Sequence, residues 1–189
     1  MKNIPFPGLI FMTDETRLKD PLPVVRHLPS GSAVILRHYS DPSRAEIAAS
    51  LIKETKGRHI KILISGDVRL AVHVGAQGIH IPESMAKSGT KTWKHWLKPY
   101  WLVTAAAHSQ KALLRAKQLG ANAALLSPVF STTSHPNTIP IGVLRFTSWS
   151  RNSPLAIYAL GGVTKNNAQR LKESKIQGIA GISCFINKY

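Results

Sequence analysis

Carboxylates are scarce in this chain. Nine Asp and Glu residues stand against 25 Lys and Arg, a formal net charge of +16 at pH 7. So few acids leave little material for paired-carboxylate acid–base chemistry or for a cage of oxygen ligands around a hard cation. Cysteine is scarcer still. The lone Cys184 excludes an internal disulfide framework and a cysteine-based zinc site, and a reducing, cytoplasmic setting is the expectation. Just after the last apolar run, Cys184 is expected to be buried and inert. No apolar run is long enough to cross a bilayer, so no membrane partner is expected. The segment Met1-Lys2-Asn3-Ile4-Pro5-Phe6-Pro7 carries no signal-peptide core. His-Glu-x-x-His and Gly-x-Gly-x-x-Gly are both missing, which removes the zinc-protease helix and the dinucleotide-binding turn.

What is present reads as one domain over residues 1–189, with no composition shift to divide it. The positive charge is spread along the chain. Its densest patches are Lys53, Lys56, Arg58, Lys61 and Lys87, Lys91, Lys94, Lys98, the second interleaved with Trp93 and Trp96. That interleaving suits base stacking, but the i, i+3 spacing equally suits two buried tryptophans behind a solvated basic face. Nucleic acid is therefore not the expected partner. The field favours anionic metabolites in any case.

Short apolar runs alternate with helical patterns. Strands are expected at Gly8–Thr13, Ala33–Arg37, Lys61–Ser65, Gly78–Ile81, Trp101–Ala106, Ala123–Pro128, Ala156–Leu160 and Gly178–Ser183. They are continuous Ile, Leu, Val and Ala runs, as parallel strands covered on both faces require. Helices are expected at Pro42–Lys56 with Asp41 as cap, Asp67–Val74, Ser109–Leu119 stopped by Gly120, and Lys165–Lys175 capped by Thr164. Weaker helical patterns cover Lys91–Leu97, Gly142–Ser150 and a Pro23-interrupted Pro21–Leu28. About eight such repeats point to a small (β/α)₈ TIM barrel, shorter than the usual ~250 residues, whose last helix is nearly absent. An open doubly wound sheet is the alternative.

Two segments have the chemistry of an anion site. Leu160-Gly161-Gly162-Val163-Thr164 and Gly181-Ile182-Ser183 each end an apolar run in small residues. Glycine lets an oxygen approach the main-chain amides, because no Cβ stands in the way. The irregular stretch from Ser131 to Pro140 follows the sixth strand, on the side where a barrel keeps its active site. Its Thr132, Ser134 and His135 carry donors that suit an anion clamp. His108, after the fifth strand, has the side chain for proton transfer near neutral pH. Arg37, after the second, is suited to a phosphate or carboxylate, and the shortage of acids favours that role over a salt bridge. His80 reads as a structural hydrogen-bonder. Asp14 and Glu83 are the acids expected near the mouth, Glu83 as a helix N-terminal acid.

In order, the pieces Leu36-Arg37, Asp67-Val68-Arg69-Leu70-Ala71, Gly75-Ala76-Gln77-Gly78-Ile79-His80, Ala107-His108-Ser109, Ser127-Pro128-Val129-Phe130-Ser131-Thr132, Tyr158-Ala159-Leu160-Gly161-Gly162-Val163 and Gly181-Ile182-Ser183 resemble the thiamine phosphate synthase/TenI superfamily of small barrels. The resemblance implies a site at the C-terminal ends of the strands. There a thiazole phosphate would lie on the positions of Gly161, Gly162, Ile182 and Ser183. Synthases of the family join an aminopyrimidine diphosphate to a hydroxyethylthiazole phosphate and release pyrophosphate. TenI-like relatives tautomerise a thiazole carboxylate phosphate, with the histidine at the position of His108 carrying the proton.

The departures matter. Of the family's Gln-x-Arg-x-Lys only Arg37 remains, and His38 and Tyr39 replace polar positions. The two Mg²⁺ aspartates are Gly66 and Met85 here, and the loop lysine is His135. These losses favour metal-free, TenI-like proton transfer by His108 on a bound phosphorylated thiazole, with no cofactor. A divergent synthase is the alternative, and it alone would call for Mg²⁺. A catalytically silent binder of a phosphorylated ligand or acidic partner is the third reading. A homo-oligomer is compatible with all three.

Overall fold

The computed structural model describes residues 5–88, 92–132 and 138–186. Eight parallel strands close into a barrel in sequence order: β1 (Leu9–Met12), β2 (Ala33–Leu36), β3 (Lys61–Ser65), β4 (Gly78–Ile81), β5 (Leu102–Ala107), β6 (Ala123–Leu126), β7 (Ala156–Ala159) and β8 (Gly178–Gly181). β8 pairs back onto β1 through Ile10 and Ala180. The barrel reading holds, and the open sheet does not.

Side chains alternate between two cores. Ala33 and Ile35 of β2 point into the barrel with Ile10, Leu63 and Tyr158, while Val34 and Leu36 face the helices. The interior mixes large and small residues, so it is packed rather than open. The small ones are needed where strands crowd. A Cβ on Gly78 would collide with the Leu102 carbonyl, and one on Gly178 with the Gly8 carbonyl. Tyr158 spans the interior to donate from its hydroxyl to Pro7 O at 2.7 Å, and burial pushes that phenol up.

The helices are α1 (Leu22–Arg26), α2 (Arg44–Glu54), α3 (Val68–His73), α4 (Glu83–Lys87), α5 (Gln110–Gln118), α6 (Val143–Arg151), α7 (Lys165–Ala168) and α8 (Ser183–Ile186). Pro23 is tolerated because it falls in the first turn of α1, where its missing N–H has no partner to lose. α2 starts later than expected, after Ser43. Asp41 instead accepts the Ser43 N–H at 2.8 Å in a turn that feeds the helix. The expected helix Lys165–Lys175 stops at Ala168 and tightens into a 3₁₀ turn at Gln169–Leu171. Asn167 is turned back, accepting the Thr164 N–H and donating to Gly162 O, both at 2.8 Å. Asparagines spent on local backbone bonds favour a start, not a long helix. α8 is a single turn, as the short tail implied. Residues Thr92–Trp96 form a 3₁₀ helix. Trp93 packs against the outer core, but Trp96 is 41% exposed, so only one of the two expected buried tryptophans goes inside. No described helix is long and apolar enough to cross a membrane.

Candidate active site

The C-terminal strand ends bring Arg37, His80, Glu83, His108 and Thr132 around one cavity of about 470 Å³. These residues are far apart in sequence. They meet because each follows or ends a parallel strand, and all eight strands leave the barrel on the same side.

His108 stands one residue past β5. Its Nδ1 lies 2.8 Å from Ser127 O. A carbonyl only accepts, so Nδ1 carries the proton and Nε2 is the nitrogen left for chemistry. Nε2 is 3.7 Å from Glu83 Oε2. Glu83 opens α4, as expected of an N-terminal acid, and also reaches the mouth. The hydrogen bond from Lys87, at 2.9 Å, holds its carboxyl below the ordinary value against the opposing effect of burial, helped by the charge of His108 when that ring is protonated and by those of Lys87 and Arg115. Glu83 is therefore an anion beside Nε2, a partner for the imidazolium that proton uptake creates. Nothing in the sequence joins the two.

Arg37 corrects an expectation. It is not free of acids: its Nη2 donates to Asp14 Oδ2 at 2.8 Å. β1 and β2 are neighbours, so the residues just beyond them meet despite the shortage of carboxylates. Burial raises the Asp14 carboxyl, but hydrogen bonds from Thr16 and the charges of Arg37 and Arg17 outweigh it and leave it lowered. The pair still faces the cavity, and Arg37 Nε is buried with no partner among the described residues. Beneath it His80 is buried at the floor of the cavity, with Nδ1 2.9 Å from Thr104 Oγ1. Burial, reinforced by the Arg37 charge, pushes His80 down to about 3, so it stays neutral and structural. His38 is also buried and structural, held by Thr13 Oγ1 at 2.9 Å and Lys19 O at 3.0 Å.

A second hollow, of about 660 Å³, opens between β7 and β8. Gly161, Gly162, Ile182 and Ser183 all line it, and Thr132, Gly161 and Ile182 also line the central cavity. The glycines have φ of +89° and +67°. Their necessity has a cause the sequence did not reveal. A Cβ on Gly161 would stand 2.8 Å from Pro128, and one on Gly162 would strike Ser131 O and the Phe130 side chain. The missing Cβ atoms make room for the chain after β6. The amides nevertheless remain available: the N–H groups of Gly161, Gly162 and Val163 have no acceptor among the described residues. Cys184 is exposed on this hollow, not buried, because it sits on α8, a single turn that buries none of its residues.

Arg17 went unnoticed in the sequence. From the loop after β1 its Nη1 donates to Ser183 Oγ at 2.7 Å, adding a cation to the β8 side of the hollow. No local pattern marks it; only the closure of β8 onto β1 brings it there. Ser134 and His135 lie outside the described residues.

A third hollow, of about 410 Å³, lies at the ends of β3 and β4 and shares Tyr39 and Pro82 with the central cavity. Gly66 and Met85, at the positions where the resemblance implies Mg²⁺ ligands, both line it. Between them Tyr39 OH is 2.6 Å from Ser65 Oγ, and Arg44 Nη2 donates to Ser65 O at 2.5 Å. The Arg44 guanidinium also lies 5.4 Å from the centre of the Tyr39 ring. Mg²⁺ demands octahedral oxygen, with carboxylates preferred. Here the donors are hydroxyls and a carbonyl already engaged by a cation. Asp67 is spent as the α3 cap, accepting the Leu70 N–H at 2.9 Å. These residues do not fit the ion. Among the described residues no cluster of three or more His, Cys, Asp or Glu side chains suits a metal.

Comparison with known proteins agrees with the barrel and its strand-end motifs. The family model described as thiamine monophosphate synthase matches residues 9–185. A putative thiamine-phosphate synthase 2 of Aquifex aeolicus is 35% identical over 133 residues, 70% of this chain and 69% of that protein. The thiamine-phosphate synthase of Pyrococcus furiosus is 26% identical over 182 residues, 94% of this chain and 86% of its own. The solved thiamine phosphate pyrophosphorylase from Pyrococcus furiosus superposes with a TM-score of 0.77 at 25% identity, covering 93% of this chain and 85% of the other. With the match running from the first strand to the turn after the eighth, this chain belongs to the thiamine phosphate synthase/TenI superfamily.

Proposed function

We propose that this barrel joins two phosphorylated heterocycles, an aminopyrimidine diphosphate and a thiazole phosphate, releasing pyrophosphate as thiamine phosphate synthases do. The observation that carries this reading is a pair of anion-compatible ends on one mouth. The amides of Gly161 and Gly162 and the Arg17–Ser183 pair lie at β7 and β8. The guanidinium groups of Arg37 and Arg44 lie at the ends of β2 and β3. In an eight-stranded barrel, β3 and β7 stand opposite each other. A condensation of two phosphorylated partners uses both ends. The names of the relatives support the same reaction. This reverses the order expected from the sequence, which ranked tautomerisation first.

In this reading the thiazole phosphate takes the amides around Gly161, Gly162 and Ile182, with Ser183 and Arg17. The ring sits in the central cavity under His108. Thr132 and Thr138 both line that cavity and are proposed to contact the diphosphate, with Ser134 and His135 as the further donors that the resemblance implies. No step is assigned to a metal.

TenI-like proton transfer is the second reading, favoured by the His108–Glu83 contact. A direct assay separates the two. Purified protein given both synthase substrates should form thiamine phosphate. Isomerisation of a thiazole carboxylate phosphate without thiamine phosphate would replace the first reading with the second. Binding of thiazole phosphate with neither reaction would leave a silent binder.

A further inference from the structure

We propose that the β2–β3 side of the mouth holds a diphosphate group directly on Arg37 and Arg44, with the Arg44 guanidinium doing the work of a divalent cation. This rests on the condensation reading and specifies how its anionic leaving group is neutralised.

The first argument is position. Arg44 lines the same hollow as Gly66 and Met85, where carboxylates would be needed to hold a metal. A fixed positive charge stands in that hollow, and it would repel a divalent ion rather than recruit one. The second is preorganisation. Arg44 is pinned by Ser65 O at 2.5 Å and by the face of Tyr39, whose own hydroxyl is fixed to Ser65 Oγ. A planar, oriented guanidinium suits bidentate recognition of phosphate oxygens.

The third is unfinished bonding. The Nε atoms of both Arg37 and Arg44 are buried and have no hydrogen-bond partner among the described residues. A buried unpaired N–H of a charged group is costly, so such donors ordinarily have an acceptor. The neighbouring acids do not use them up. Asp14 engages only Nη2 of Arg37, and Asp67 comes no closer than 3.9 Å to Arg44. Hydroxyls of Tyr39, Ser65 and Ser84 complete an uncharged rim. The fourth is continuity. Tyr39 and Pro82 belong to both this hollow and the central cavity that Arg37 lines, so one diphosphate could touch both arginines without leaving the mouth.

Titration calorimetry with inorganic pyrophosphate tests the idea on the unaltered protein. Pyrophosphate should bind in EDTA at least as tightly as in excess Mg²⁺, because no metal completes the site and the ion only ties up the free ligand. Arg44→Gln and Arg37→Gln should each weaken pyrophosphate by about tenfold or more, the scale of a charge-assisted contact. Inorganic phosphate bound at the β7–β8 hollow should be unaffected by Arg44→Gln. Pyrophosphate binding that appears only with Mg²⁺ would overturn the inference, as would full affinity in Arg44→Gln. The comparison in EDTA needs no variant, so a misfolded mutant does not rescue the idea. Its failure is also separable from that of the condensation reading. Metal-free pyrophosphate binding without thiamine phosphate formation upholds the site and sinks the reaction. Strictly Mg²⁺-dependent synthesis does the reverse.

Discussion

Arg17 and Ser183 are 166 positions apart and joined by one hydrogen bond. Arg17 is exposed, so its loss should barely move stability, yet its guanidinium reaches Ser183 at the proposed phosphate cradle on β8. Arg17→Gln should weaken thiazole phosphate by about tenfold, one charge-assisted contact, with an unchanged urea midpoint. Calorimetry reads the affinity, and an unchanged value would remove Arg17 from the site. His80 gives a second expectation. Its imidazole is held at about 3 in the fold against 6.5 when unfolded. Between those values the unfolded chain binds a proton that the native one refuses. Stability therefore falls as pH drops below 6.5, at up to about 1.4 kcal/mol per pH unit. His80→Gln should flatten the melting temperature between pH 6.5 and 5, while the lowered Asp14 and Glu83 carboxyls account for further loss only in stronger acid. Persistence of the slope in the variant would assign it elsewhere. His108 and Arg37 could be read from the chain because each follows an apolar run that the barrel ends at its mouth. Their partners could not. Glu83, Asp14 and Ser127 approach across strands, and nothing local encodes those distances.

At the level of elements, the strands were legible and the helices less so. A parallel strand covered on both faces must be apolar throughout, and runs such as Ile62-Leu63-Ile64 have no other reading. Short surface helices depend on how each end is satisfied. Asn167 is bonded back to Thr164 and Gly162, which shortened α7 against its expected length. The turn it holds also fixes the glycine pair, whose packing against the chain after β6 the sequence did not show. Gly162→Ala puts a methyl group against Ser131 O and Phe130 at a φ of +67°. Backbone strain alone costs about 1–3 kcal/mol, and the contact adds to it. The variant should show a lower urea midpoint and weakened phosphate binding together, because the turn cannot relax without moving the chain after β6. Full stability with full affinity would mean that neither the packing nor the amides of this turn matter.

The whole molecule carries +16 with only nine acids to offset it. Both proposed ligands are polyanions, so the field should speed their arrival. Part of that charge is far from the mouth. Lys53 and Lys56 line a groove with Ile60 and Gln77, which precede β3 and β4, at the opposite end of the barrel. A five-residue strand such as β3 puts roughly 16 Å between the ends. The screening length is about 30 Å at 0.01 M salt and about 8 Å at 0.15 M. Distant cations therefore act on an incoming anion only when salt is low. Replacing Lys53 and Lys56 with Gln should slow pyrophosphate association in stopped-flow experiments at about 0.01 M salt and leave it unchanged near 0.15 M. Arg37→Gln, by contrast, removes a charge from the mouth itself and should slow association at both. If the distant pair matters equally at both salt levels, its role is a binding site of its own and not a contribution to the field. If Arg37→Gln leaves the rate untouched at low salt, the anion does not enter past Arg37, and the route to the mouth must be sought on the β7–β8 side.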